Sequence, residues 1–196
     1  DDGIRAAQES RGLGDVYKRQ HEQNVTLADV RQADLYALWQ RLVDHELAAA
    51  NLGLLTDMIC CPGGDFCSLA NAKSIPVAEA IQREFDDIDY LYDLGDLHIN
   101  ISGCMNACGH HHVGNIGILG VDKKGEEWYQ ISVGGAANEN AAIASILGPS
   151  FAREEVPSVI RNILTEYLDK RDGDEAFIDT FNRIGVQPFK DKVYSQ

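Results

Sequence analysis

Two short groups of cysteines constrain this chain more than any other feature of its sequence. Cys60, Cys61 and Cys67 form the first group, with a C-x5-C spacing, and Cys104 and Cys108 form the second, with a C-x3-C spacing. Glycines flank both groups, and the surrounding residues predict a strand-to-helix turn at each. An odd number of cysteines without a visible secretion signal argues against a disulfide framework. A reducing compartment would keep these thiols free for metals.

Four of the thiols match the ligand set of a cubane iron–sulfur cluster. These candidate ligands are Cys61, Cys67, Cys104 and Cys108. The glycines beside them would let backbone N–H groups approach the cluster sulfurs closely. Structural zinc sites usually have tighter C-x2-C or C-x4-C spacings, so the pattern favours iron–sulfur over zinc, with buried unligated thiols as the third alternative. Cys60 is an extra thiol, which we interpret as a small buried apolar residue rather than a redox group or alternative ligand.

The chain is acidic, with a formal net charge of −14. Such a surface repels phosphate backbones, so nucleic-acid binding is not expected. It would also repel a small anionic substrate unless a local basic pocket overrides the field. The basic residues near the cysteine groups are few, namely Lys73, Arg83, Lys123 and Lys124. No apolar run of membrane-spanning length is present, and we expect a cytoplasmic protein.

Residues 1–20 resemble the translation of a DNA sequencing adapter. Residues 10–20 read SRGLGDVYKRQ, and back-translation can reproduce the end of a common transposase-based adapter. We therefore interpret residues 1–20 as non-native sequence and exclude them from the fold prediction, with a natural tail as the alternative. On this interpretation the chain is a fragment that begins at His21, and an N-terminal portion is missing.

Apolar periodicity divides the remaining sequence into short helices and strands. Thr26 is a candidate helix cap, Pro76 favours a helix that starts near Ile75, and a short acidic helical stretch surrounds Leu91. The predicted strands cover residues 24–27, 98–102, 116–121 and 128–133, the last two forming a hairpin. The predicted helices cover residues 32–49, 75–86, 141–147, 156–168 and 177–184, and a tail with Pro188 follows.

Residues 60–70 (CCPGGDFCSLA) and 101–120 (ISGCMNACGHHHVGNIGILG) together resemble the paired signature of the sirohaem sulfite and nitrite reductase family. In that family the two spacings are also C-x5-C and C-x3-C, separated by several tens of residues. The resemblance continues through WYQISVGG, EEVPSVIRNILTEYL and RIGVQPFKDKVY and covers roughly residues 21–196. One departure is Met105, where many members have proline.

The resemblance implies both cofactors and roles. The four candidate ligands would hold a [4Fe-4S] cluster, and Cys108 would also bridge to the sirohaem iron. Asn106 would donate to the cluster or line the haem. The three consecutive histidines, His110, His111 and His112, are more simply loop or core residues than cofactor contacts, since adjacent residues cannot all point one way.

The implied reaction is the six-electron reduction of sulfite to sulfide, with nitrite reduction to ammonia as the alternative. The electron donor would be an NADPH flavoprotein subunit or a ferredoxin. The substrate-binding Arg and Lys residues would lie mostly in the missing N-terminal half of the same chain, so the catalytic residues are unknown and the fragment alone should have negligible turnover. A non-catalytic four-cysteine zinc module or electron-transfer module is the more remote alternative.

The implied fold is α+β, or mixed α/β, with a sheet flanked by helices and the two cysteine loops converging at one end. Residues 21–52 would be the end of a ferredoxin-like half domain. Residues 53–196 would be the domain that binds sirohaem and the [4Fe-4S] cluster.

Overall fold

A computed structural model describes residues 17–19, 23–137, 139 and 141–195. The chain divides into two compact units, residues 1–50 and 51–196. The adapter interpretation concerns residues that lie almost entirely outside the described part, and it stays a prediction. So does the assignment of residues 21–52 to a ferredoxin-like half domain.

The described residues of the first unit form a two-stranded sheet and one helix. Strand β1 (Tyr17–Arg19) pairs antiparallel with β2 (Val25–Leu27), and a 3-10 turn leads into α1 (Leu35–Asp44). The prediction of Thr26 as a helix cap was wrong, because Thr26 pairs within the sheet. The helix is also shorter than predicted: it ends at Asp44, and Glu46 takes a left-handed backbone with φ 57°.

The second unit is built on a five-stranded mixed sheet. Its strands are β3 (Ile59–Cys60), β4 (Ile99–Ser102), β5 (Ile116–Lys123), β6 (Glu126–Val133) and β7 (Ser145–Ile146), in that spatial order. The first three are parallel to one another, whereas β5, β6 and β7 are antiparallel. Lys124 and Gly125 connect β5 to β6 with positive φ values of 61° and 85°, as a two-residue hairpin turn requires.

Five helices accompany this sheet in the described residues. They are α2 (Ile75–Glu84), α3 (Ile88–Leu94), α4 (Val156–Lys170), α5 (Phe177–Ile184) and α6 (Gln187–Tyr194). The mixed α/β class with a helix-flanked sheet is therefore confirmed. No helix in the described residues combines the length and the apolarity needed to cross a membrane.

Two element predictions were wrong. Residues 141–147 were expected to form a helix, but Ser145 and Ile146 instead pair with Ser132 and Val133 as an edge strand. The tail after α5 forms the helix α6, because Pro188 lies in its first turn, where a missing N–H costs nothing.

The core of the second unit lies between the sheet and the helices. Ile99, Ile101, Ile116 and Ile118 on the parallel strands are fully buried. Helix α4 buries its apolar stripe in the same cluster, as the spacing predicts. This packing fixes the sheet edge from which both cysteine groups emerge.

Candidate functional site

Both cysteine groups lie at the same edge of the sheet. Strands β3 and β4 are parallel neighbours, with Cys60 opposite Ile101. The N–H of Cys61 donates to the carbonyl of Ile101 at 3.0 Å. Because parallel strands end at one edge, the loops that follow them emerge side by side, where open α/β sheets commonly bind ligands.

The first loop, residues 61–74, folds back on itself. A 3-10 turn (Gly63–Asp65) follows Pro62, and the N–H of Cys67 donates to the carbonyl of Gly63 at 2.9 Å. Gly63 has a φ of 58°, which side chains rarely tolerate. The loop therefore returns Cys67 towards the strand end that carries Cys61.

The two loops are in direct contact at Gly103. Its carbonyl accepts the N–H groups of Asn71 at 2.8 Å and Ala72 at 3.1 Å. Its own N–H donates to the sulfur of Cys61 at 3.0 Å. A Cβ at this position would lie 2.7 Å from the Ala72 carbonyl oxygen, so the contact depends on glycine.

The second loop, residues 103–115, is a series of tight turns rather than the start of a helix. The N–H of Ala107 donates to the carbonyl of Cys104 at 3.1 Å, and Ala107 has a φ of 56°. The N–H of Gly109 donates to the Ser102 hydroxyl at 3.1 Å. The prediction of a strand-to-helix turn was thus wrong here, because the chain continues into β5.

The four candidate ligands are buried to different extents. Cys61 and Cys104 are buried, Cys67 is half-buried and Cys108 is exposed, and all four thiols are outside disulfides. Large apolar side chains on the same loops are also exposed, notably Phe66 at 81% and Met105 at 80%.

Cys60 differs from its neighbours in environment. It packs against the hydrophobic core, and its Sγ donates to the carbonyl of Cys61 at 3.3 Å. Burial, followed by the nearby Cys61 and Asp65, raises the pKa of the Cys60 thiol to about 12. A thiol that stays protonated in an apolar site supports the small-hydrophobe interpretation.

The three histidines occupy different environments. His110 and His112 are exposed, whereas His111 is 4% exposed and its Nδ1 has no hydrogen-bond partner among the described residues. Burial, and secondarily the His112 ring 3.9 Å away, lowers the pKa of His111 to about 4. His111 is therefore a neutral core residue near pH 7, in line with the core interpretation of the histidines. Asn106, which was predicted to contact the cluster or the haem, is exposed.

The basic residues singled out in the sequence are mostly engaged elsewhere. Lys73 lies 3.3 Å from Asp65, and Arg83 lies 3.8 Å from Glu79. Lys123 lies 4.4 Å from the centroid of the Trp128 ring. These contacts do not assemble a basic pocket around the cysteine loops in the described part of the chain.

Two structural contributors were missed in the sequence. The Ser74 hydroxyl lies 3.6 Å from the Cys61 sulfur, and the Tyr129 hydroxyl donates to the Lys73 carbonyl at 2.8 Å. Ser74 precedes a helix with proline in its first turn, a pattern that indicates an ordinary cap. Tyr129 lies in a strand far along the chain, and no sequence signal connects it to the first loop.

The chemistry of the donor set bears on the kind of metal group. Four thiols outside disulfides, with a backbone N–H donating to one of them, are the type of donor that an iron–sulfur cluster takes. In the described residues no three His, Cys, Asp or Glu side chains are already grouped around a position for a metal ion.

Comparison with known proteins agrees with this chemistry. The family model for the nitrite and sulphite reductase 4Fe-4S domain matches residues 54–196. The chain belongs to this family. Its cofactors, a [4Fe-4S] cluster and sirohaem, are those that the family resemblance implied.

The relatives include both sulfite and nitrite reductases. The chain is 28% identical over 153 residues to a ferredoxin–nitrite reductase of Synechococcus elongatus, covering 74% of the chain and 29% of the relative. It is 23% identical over 172 residues to an assimilatory-type sulfite reductase of Nitratidesulfovibrio vulgaris, covering 87% of the chain and 75% of the relative. The chain spans less than a third of the length of the Synechococcus relative and of other curated relatives that it matches.

A solved structure shows the same fold. The NirA protein of Mycobacterium tuberculosis superposes with a TM-score of 0.76 at 21% sequence identity. The match covers 92% of this chain and 35% of NirA.

Proposed function

We propose that this chain provides the cluster- and haem-binding part of a reductase that converts sulfite to sulfide. In the proposal Cys61, Cys67, Cys104 and Cys108 ligate the [4Fe-4S] cluster, and Cys108 also bridges to the sirohaem iron. The observation that carries it is the contact at Gly103, which joins the first cysteine loop to the second through three hydrogen bonds. Together with the family membership, this contact supports a single centre built from both loops.

Residues of the two cysteine loops would position the ligating sulfurs. The backbone N–H of Gly103 holds the Cys61 sulfur in one orientation and offsets part of the negative charge of a thiolate. The tight turn at Ala107 presents Cys108 at the exposed end of the second loop. Exposure of Cys108 beside Met105 suits a sulfur that contacts a large planar cofactor outside this loop, with exposed Asn106 as a further contact.

The bound cofactors would supply electron delivery and an iron site that takes the anion. Six electrons and six protons convert one sulfite into one sulfide and three waters, so every oxygen leaves as water. The chain's own part would be to hold the cluster through the cysteines of the two loops, with Cys108 as the residue nearest the haem. The donor would be an NADPH flavoprotein subunit or a ferredoxin, and the cytoplasmic location belongs to the same proposal.

Nitrite is the second candidate substrate. Relatives named ferredoxin–nitrite reductase match at 26% and 28% identity, as high as several sulfite reductases. Lys73, Arg83 and Lys123, three of the four basic residues named near the loops, contact neighbouring side chains. We therefore place the residues that choose between the anions outside this chain, in an N-terminal half.

The first test is an absorption spectrum of the chain purified without oxygen from a host that makes sirohaem. The expected result is the visible bands of sirohaem together with broad cluster absorption, whereas a spectrum with neither would contradict the proposal. The second test compares sulfite and nitrite as substrates for the full-length protein, with a chemical electron donor. A higher kcat/KM for sulfite is expected, and a higher value for nitrite would reverse the substrate assignment.

A further inference from the structure

Ser74 has the position of a helix cap but does not act as one. It precedes α2 and is fully buried, yet its side chain makes no capping hydrogen bond. A serine at this position typically stabilises its helix by accepting a hydrogen bond from the first turn. Another interaction must therefore hold the hydroxyl away from the helix end.

That interaction is with the sulfur of Cys61. The two atoms are 3.6 Å apart, and this sulfur is the hydrogen-bond partner of the Ser74 hydroxyl within the described residues. A buried hydroxyl needs a partner, and a ligating thiolate can only accept. The hydroxyl must then be the donor, so the Cys61 sulfur receives one hydrogen bond from Ser74 and another from the N–H of Gly103.

The surrounding backbone fixes the hydroxyl in this place. A Cβ added to Gly63 would lie 2.6 Å from the Ser74 Oγ, and one added to Gly103 would lie 3.0 Å from it. The hydroxyl thus occupies the gap between the first and second cysteine loops. Its orientation follows from the contact of the loops and not from the helix that it precedes.

Hydrogen bonds to a ligand sulfur stabilise the more negatively charged state of a cluster and raise its reduction potential. We infer that Ser74 is a positioning residue, whose hydroxyl holds the Cys61 thiolate and makes the cluster easier to reduce. This inference rests on the proposed function, because it requires Cys61 to be a cluster ligand.

The test compares variants of the whole chain after anaerobic assembly of the cluster. Ser74→Ala and Ser74→Gly remove the hydroxyl, and Ser74→Thr keeps it. Ser132→Ala is the matched control, since Ser132 is also buried but donates to the carbonyl of Gly117 at 3.4 Å. Iron and sulfide content are measured first, and the reduction potential is then followed by electron paramagnetic resonance.

Ser74→Ala and Ser74→Gly should lower the equilibrium constant for cluster reduction about tenfold, a shift of about 59 mV for one electron. Ser74→Thr and Ser132→Ala should keep the wild-type potential. Cluster loss from both hydroxyl-free variants, with Ser74→Thr intact, would also support a hydroxyl that holds the sulfur. A wild-type potential in the hydroxyl-free variants would overturn the role of Ser74 alone. A wild-type chain that assembles no cluster would overturn both this role and the proposed function.

Discussion

Gly103→Ala should separate the two cysteine loops. The added methyl group would lie 2.7 Å from the Ala72 carbonyl oxygen and 2.8 Å from the Cα of Gly63. Both are backbone atoms, so the clash cannot be relieved by rotating a side chain. The loops must move apart, which weakens the hydrogen bonds from Asn71 and Ala72 and the one to Cys61.

The cost can be worked out from these contacts. Overpacking of a tight site costs about 1–3 kcal/mol, and each weakened hydrogen bond adds up to about 1 kcal/mol. We expect the free energy of unfolding to fall by about 2–4 kcal/mol, or the melting temperature by roughly 5–12 °C for a chain of this size. Because the Cys61 sulfur also loses its N–H donor, iron bound per chain should fall in parallel.

Gly64→Ala is the matched control. Gly64 lies in the first cysteine loop, is exposed, and a Cβ there would meet the Lys73 Cγ at 3.4 Å, an ordinary contact. Urea unfolding and iron content should leave this variant close to wild type. The reasoning is refuted if Gly103→Ala is as stable as Gly64→Ala and binds as much iron.

Two further predictions concern groups around the site. Tyr129→Phe should lower the free energy of unfolding by about 1–2 kcal/mol, because the Lys73 carbonyl loses the hydrogen bond from the Tyr129 hydroxyl. A urea titration that shows no loss would refute this. The pKa of His111 in the folded chain is about 4, below the ordinary value of 6.5. As the pH falls from 6.5 to 4, the unfolded chain therefore binds a proton at this histidine before the folded chain does. The free energy of unfolding should fall by about 2–3 kcal/mol over that range. The free energy of unfolding, measured against pH, should depend less on pH in His111→Phe than in the wild-type chain. His110→Asn is the control, because residue 110 is exposed and has a left-handed backbone, and it should keep the wild-type dependence. Equal pH profiles for the two variants would contradict the prediction.

Local patterns predicted the elements with strong periodicity. Helix α5 spans the predicted residues, and the apolar stripe of α4 faces the core as expected. The hairpin of β5 and β6 follows from its polar turn, although both strands extend further into that turn than predicted. In these segments local preference and burial agree, so the sequence alone is informative.

Elements decided by tertiary packing were harder to predict. Ile143 and Ile146 are three residues apart, as on a helix, but both are exposed, and the segment pairs with the end of β6. Strand β3 has two residues and no pattern of its own, since its pairing with β4 depends on a distant part of the chain. The convergence of the two cysteine loops was therefore predicted from the family resemblance and not from local patterns. The physical reason for it is the parallel pairing of β3 with β4, which only the structure shows.

The sequence predicts candidate ligands for the site, but it does not predict the residues that hold the ligand loops in place. The four thiols stand out by spacing, whereas the roles of Ser74 and Tyr129 depend on contacts across long stretches of sequence. The interpretation of Cys60 as a small buried residue agrees with its apolar packing. Which cysteines ligate the cluster stays a prediction.

The most direct test is the iron and acid-labile sulfide content of the anaerobically assembled chain, with Mössbauer spectra to identify the cluster type. The account predicts one [4Fe-4S] cluster per chain, lost when serine replaces Cys61, Cys67, Cys104 or Cys108 and retained in Cys60→Ser. Zinc in place of iron in the wild-type chain, or a Cys60→Ser variant as damaged as the other four, would contradict it.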